Sequence, residues 1–557
     1  MRRKILALSL VLAMAASVLS PAAMAQTVSD SLPIVSVTSE SAAESASAAE
    51  SESTAESVST ADSANAAEST SAAESESTAE SVSTADSANA AESASAAESV
   101  STAESTSTAE SVSTPASAPA AENTTAAQPQ ADEVAIDETN FPDANFREFV
   151  KLYDTDGNGS FSQAELDAVK EINAPSYRGI QNLKGIEYFT ALERLNVGYN
   201  QLSELDVSAN TALTSLYVSG NQLTSLDVSA NTALTNLEAA GNQLTELDVS
   251  ANTALERLHV VSNQLTELDV SKNTALTSLY VGDNQLTSLD VSANTALKSL
   301  DVGSNQLTSL DVSANTALES LDVFRNQLTS LDVSDHTALT YLDVHQNQLT
   351  SLDVSGCTAL TSLGVSRSYF DDDRNKLSSL DVSGCTALES LNVRNNQLTS
   401  LDVSTNTALK SLEVGGNQLT ELDVSKNTAL TNLDASSNQL TTLDVSANTA
   451  LESLNVRINQ LTSLDVSTNT ALKSLDVGGN QLTELDVSKN TALESLNVRN
   501  NQLTSLDISA NTALTNLDAG DNQLTTLDVS ANTALTKLNA SSNQLTTLDV
   551  SANTALT

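Results

Sequence analysis

The sequence has no tryptophan, two cysteines and three histidines in 557 residues, and its 24 lysines and arginines face 71 aspartates and glutamates. Each shortage excludes a class of function. Phosphate recognition needs clustered Lys and Arg, so a formal net charge of −47 argues against nucleic acid and anionic membrane surfaces as partners and favours cationic ones, calcium included. There is no zinc-spaced Cys/His set, no Gly-rich phosphate loop, no G-x-S-x-G turn and no H-E-x-x-H. His259 and His345 stand four repeats apart, too far to share a metal. Carboxylates are so frequent that their pairing says nothing about glycosidase chemistry. The reading is a protein that is not an enzyme.

Long apolar runs are also missing, except at the start. Residues 1–25, MRRKILALSLVLAMAASVLSPAAMA, carry a basic n-region (Arg2, Arg3, Lys4), an apolar stretch from Ile5 to Leu19 and an A-x-A cleavage site at Ala23-Met24-Ala25. The stretch is shorter than the ~20 residues of a spanning helix. It reads as a secretory signal peptide, which predicts a secreted or cell-surface protein with no membrane insertion after cleavage. Residues 26–130 are almost entirely Ser, Ala, Glu and Thr, and SESTAESVSTADSANAAES at residue 51 returns at residue 75. So little apolar surface cannot offset the entropy of ordering, and a disordered stalk is expected.

Within residues 131–190, DTDGNGSFSQAE at 154–165 matches D-x-[DN]-x-[DN]-G-x5-E in full. Calcium takes six or more oxygens, and this spacing offers the side chains of Asp154, Asp156 and Asn158, the Ser160 carbonyl, Ser162 through water and a bidentate Glu165. Phe146, Phe149 and Val150 lie at helical spacing before the loop, and Leu166, Val169 and Ile172 continue that spacing after it. The segment resembles an EF-hand, or the calcium loop of a dockerin, which implies Ca2+ as the bound ion. It is single where regulatory EF-hands are paired, so a structural site is expected. With the degenerate unit GIQNLKGIEYFTAL (179–192) it is placed to form a helical cap.

From residue 191 to 557 the chain repeats L-x-x-L-x-V-x-x-N-x-L-x-x-L-D-V-S-x-N-T-A with a period of 21. The first asparagine recurs at Asn200, Asn221, Asn242, Asn263, Asn284, Asn305, Asn326 and Asn347, and after one insertion at Asn375, Asn396, Asn417, Asn438, Asn459, Asn480, Asn501, Asn522 and Asn543. This spacing resembles the leucine-rich-repeat solenoid, and specifically the internalin-like secreted or surface proteins of bacteria. The expected fold is a mainly β repeat solenoid of 21-residue rungs, weakly curved, with Leu213, Leu216 and Val218 and their equivalents inward and each Asn amide serving backbone groups left unpaired by turns. The two halves of a rung share L-x-x-L-x-V-S-x-N, which predicts an extended segment on both sides.

Asp206, Asp227 and their equivalents to Asp549 fall on outward positions. They read either as a solvated stripe that resists edge association or as a cation-binding stripe. Copies differ mainly at the residue before the first Val and the two after it, including Tyr199, Tyr217, His259, Tyr280, Phe324, Arg325 and His345, with Arg394, Arg457 and Arg499 later. Tyr217, His259, Tyr280, Phe324, Arg325 and His345 are the candidate ligand-binding residues, on the exposed face of the first strand. The ten residues SRSYFDDDRN (366–375) include an insertion that is either a contact loop or a tolerated one. Cys357 and Cys385 replace asparagine in adjacent rungs, as a disulfide or as buried thiols; His336 replaces it one rung earlier. The run ends at Leu556-Thr557 inside a repeat, which reads as a fragment lacking a terminal cap. The function expected is an extracellular binding or adhesion module for a protein or glycan; the alternative is a spacer or surface-coat protein without a specific ligand.

Overall fold

The structure, a computed structural model, describes residues 133–366 and 375–557. All of them fall in the second of two units, Pro119–Thr557. The expected signal peptide and stalk and insertion residues 367–374 lie outside the described residues.

Residues 171–557 build a parallel β-solenoid. A first strand, β3 (Glu171–Asn173), is followed by β4 (Arg194–Asn196), β5 (Ser215–Tyr217) and one three-residue strand per rung up to β20 (Lys537–Asn539). Each pairs in register with the next, Leu195 opposite Leu216, Leu216 opposite Leu237, and so on to Leu517 opposite Leu538. The central leucine of each strand and the valine just after it turn inward. In the rung from Leu213 the buried set is Leu213, Leu216, Val218, Leu223, Leu226 and Val228, none more than 7% exposed. Burying each contributes about 1.5–3 kcal/mol, but the walls that bury it are the same side chains of the neighbouring rungs, so no rung holds its core alone.

Two asparagine ladders run along this core. In the first, Asn284 Nδ2 donates to the Val260 and Val281 carbonyls at 3.0 and 2.9 Å, and its Oδ1 accepts from Leu265 N at 3.0 Å. In the second, Asn294 Nδ2 donates to the Val270 and Asn273 carbonyls at 3.0 and 2.9 Å while its Oδ1 has no partner. The repeated asparagines are thus fixed by backbone hydrogen-bond demand inside the core.

The second half of the rung, expected to be an extended segment, forms no strand. Among the described residues its one ladder contact is an isolated parallel bridge between Asp332 and Asp353. There Asp227 Oδ1 accepts from Ser229 N at 2.9 Å, a local Asx contact repeated rung by rung.

The segment before the solenoid is a small cap. Strand β1 (Val134–Ala135) pairs antiparallel with β2 (Ser160–Phe161), and helices α1 (Ala144–Val150) and α2 (Gln163–Ala168) flank the intervening loop. Phe141, Phe146, Phe161 and Phe189 are fully buried together, with Phe161 and Phe189 rings 5.4 Å apart. Asp143 joins cap to solenoid: Oδ1 accepts from Asn145 N and Phe146 N, and Oδ2 from Gln181 N at 2.7 Å. The helix expected to run through Val169 and Ile172 stops at Ala168. Val169 is extended and Ile172 is the centre of β3, opposite Leu195, because pairing with the first rung outweighs one more helical turn. The degenerate unit 179–192 completes that first turn, burying Ile180, Leu183, Ile186, Phe189 and Leu192.

Candidate functional site

The loop after α1 brings together part of the predicted calcium set. Carboxylate oxygens of Asp154, Asp156 and Glu165 lie within 4.8 Å of one another. Asp154 Oδ1 accepts from Gly157 N and Oδ2 from Gly159 N, both at 2.8 Å, while Asn158 Oδ1 accepts from Ser160 N at 2.7 Å. Gly157 and Gly159 take positive φ, 71° and 84°, as the tight loop requires. Ser162 acts as N-cap of α2, and Glu165 closes a capping box with it. The Ser162 backbone N–H, then the Thr155 hydroxyl and N–H, hold the Glu165 carboxyl down at about 2. The donor set is all oxygen, which suits a hard cation.

The candidate contact residues divide between two places. Tyr217, His259 and Tyr280 are the third residues of their strands, on the outward face. The Arg194 guanidinium lies 4.9 Å over the Tyr217 ring and donates to its hydroxyl at 3.1 Å; Arg257 lies 5.0 Å over Tyr280, whose ring is 5.4 Å from His259. These contacts hold the rings in fixed orientation. Burial, then the Arg257 charge, depresses His259 to about 4. Phe324 and His345 flank the same face, partly buried. Arg325 does not lie on the strand. With φ of 54° it sits in a left-handed turn, the position that is Tyr199, Ser262, Asp283 or Ile458 in other rungs and Gly220, Gly241, Gly416 or Gly479 in several. Gly, Asn and Asp adopt this conformation most readily, and they hold the position in many of the rungs.

Sequence reasoning missed a third feature. Asp301, Asp322 and Asp343 occupy the strand column of Tyr217 and Tyr280 in three consecutive rungs, and register puts them side by side. Each accepts one backbone N–H, from Gly303, Phe324 and His345. Burial, then the charges of Asp301 and Asp343, pushes Asp322 up to about 7; Asp301 is raised by burial and then by the Asp343 charge. The signal was legible as LDV in three successive first halves. By contrast, the exposed carboxylates of the second half, such as Asp227, are held below the usual range by the hydroxyl and N–H of the serine two residues on.

Cys357 and Cys385 are buried free thiols whose Sγ atoms donate to the Val333 and Val354 carbonyls at 3.4 and 3.3 Å. Burial pushes them up to about 12 and about 11. His336 holds the preceding position, with Nε2 3.2 Å from the Val312 carbonyl. All three replace second-ladder asparagines by supplying one donor each. Among the described residues no helix is long and apolar enough to cross a membrane.

A leucine-rich-repeat family model matches residues 293–314. The functional domain of InlJ from Listeria monocytogenes, which includes a cysteine ladder, is 34% identical; the match covers 69% of this chain and 79% of that one, with a TM-score of 0.57. A leucine-rich-repeat protein of Leptospira interrogans has the same fold at 23% identity, over 69% of this chain and 93% of its own, with a TM-score of 0.52. YopM from Yersinia enterocolitica matches at 25% identity, over 68% and 88% of the two chains, with a TM-score of 0.51. No curated protein sequence matches the chain. The in-register strands, the asparagine ladders and the likeness to most of the InlJ domain agree, and the chain belongs to the leucine-rich-repeat family.

Proposed function

We propose that the chain is an extracellular binding module whose contact surface is the outward strand face from Tyr217 to His345, with a protein as the ligand. The observation that carries this reading is the set of braced rings: Arg194 against Tyr217 and Arg257 against Tyr280 hold large amphipathic side chains still before any partner arrives. Anchors fixed in advance lose little side-chain entropy on binding. Secretion follows from residues 1–25. The test is the immobilised full chain against arrays of extracellular proteins and of glycans. Retention of a protein that falls tenfold or more in Tyr217→Ala, Tyr280→Ala and Phe324→Ala supports the reading. Binding of a glycan alone would reassign the ligand class, and binding of nothing would favour a spacer.

The same reading gives the cap a calcium ion. Asp154, Asp156, Asn158 and Glu165 with the Ser160 carbonyl would hold it, Ser162 contributing through water, and it would tie α1 to α2. What supports this is the convergence of three carboxylates in a loop of matching spacing. Calorimetric titration with Ca2+ should give one site, lost in Asp154→Asn and Glu165→Gln.

A further inference from the structure

The strand column that carries Tyr217 and Tyr280 treats its acidic residues in two ways. Between Asp434 and Asn539 carboxylates and amides alternate: Asp434, Asn455, Asp476, Asn497, Asp518, Asn539. The amides separate the charges and hydrogen-bond them, Asn497 Nδ2 donating to Asp476 at 3.1 Å and Asn539 Nδ2 to Asp518 at 2.9 Å. Arg394 adds an ion pair to Asp434 at 2.7 Å. Asp301, Asp322 and Asp343 follow the other pattern, with three carboxylates in adjacent strands and no amide between them.

Adjacent in-register strands are about 4.8 Å apart, so the middle carboxylate has a like charge on each side. Glycines let the stack sink into the surface. A Cβ on Gly282 would come within 2.8 Å of Asp301 Oδ1, and one on Gly303 within 3.3 Å of both Asp301 and Asp322. Among the described residues the groups that face the stack are few. Tyr280 precedes it and Gly364 follows it in the column. At the Asp343 end, Tyr341 Oη is 3.4 Å from Oδ2, and His345 hydrogen-bonds Oδ1 through Nδ1. Lys298 and Glu319, three residues before Asp301 and Asp322, pair with each other at 2.9 Å, and Arg325 is exposed on its turn. The hydrogen bond from His345 thus reaches one end of the stack, and among the described residues no Lys or Arg pairs with Asp301 or Asp322.

We propose that Asp301, Asp322 and Asp343 act as one proton-binding unit, so that acidification removes negative charge from the middle of the strand face. Like charges at this spacing in a partly desolvated row cannot all ionise without cost, and a shared proton relieves it. The raised position of Asp322, about 7, agrees with this geometry. The proposal rests on the binding-face reading only for its consequence, that a cationic partner is held less well in acid; the proton itself requires no partner.

The test is a difference acid–base titration of the full chain against Asp322→Asn, each checked by circular dichroism. Wild type should take up about one proton more than the variant between pH 8.5 and 5.5, and Asp528→Asn, on the exposed second-half column, should superimpose on wild type. Curves for wild type and Asp322→Asn that coincide above pH 5.5 would overturn the proposal. If Asp322→Asn does not fold, Asp301→Asn supplies the same comparison. Because no ligand is present, a negative result here is distinct from an array that retains nothing.

Discussion

Phe161 lies opposite Val134 across a two-residue antiparallel ladder. The eighth position of the predicted calcium loop therefore finds its strand partner in the segment just upstream, in place of a second loop. Ile136 N extends the contact by donating to the Gly159 carbonyl at 2.9 Å. Ile136→Pro removes that donor and should cost about 1–3 kcal/mol locally. Hydrogen exchange should quicken across 133–173 with the rungs beyond 240 unchanged; unchanged exchange in the cap would show that the loop is held without its strand.

The two asparagine ladders should differ in cost. Asn284→Ala strands Leu265 N, whose one acceptor is Asn284 Oδ1. Asn294→Ala leaves carbonyls that keep backbone donors, Asn273 N on Val270 and Leu276 N on Asn273, and it deletes an Oδ1 that had no partner. We expect about 2–3 kcal/mol for Asn284→Ala and under about 1 kcal/mol for Asn294→Ala in urea unfolding. Equal losses would contradict the assignment of the bonds.

Ile458 holds φ of 55° in the left-handed turn and is 50% exposed. A β-branched residue is strained there, whereas its equivalents Gly220 and Gly479 are not. Ile458→Gly should stabilise the protein by about 1 kcal/mol. A lower urea midpoint would show that the side chain contributes packing that outweighs the strain.

His259 and Asp322 should act in opposite directions over one pH range. The depressed His259 contributes stability that is present above about 6.5 and lost as pH falls towards about 4. The raised Asp322 contributes stability that is present below 3.8 and lost as pH rises through about 7. The melting temperature of His259→Gln should therefore fall less on acidification than that of wild type. Asp322→Asn should lose the decline on alkalinisation. Parallel curves for all three proteins between pH 4 and 8 would refute both assignments.

Both thiols should be inert in the folded protein. Burial and carbonyl hydrogen bonds keep Cys357 and Cys385 protonated. An aromatic disulfide reagent at pH 8 should label neither until guanidinium is added, and then both. Native labelling would mean the core opens at these rungs.

The 21-residue period by itself determined the solenoid. A leucine spacing repeated without drift allows each strand to meet only its own copy, so register, the inward set and the asparagine ladders were all legible, as was the oxygen-rich loop at 154–165. Tertiary structure decided what the local pattern left equal. The two halves of a rung read alike, yet only the first forms strands. Arg325 and Tyr280 read as one variable surface, yet one stands on a left-handed turn and the other on a strand. Asp301, Asp322 and Asp343 lie 21 residues apart in the chain and side by side in the fold. Their shared environment is a property of stacking, which fixes distance and solvent access between rungs, and neither quantity exists along a single strand.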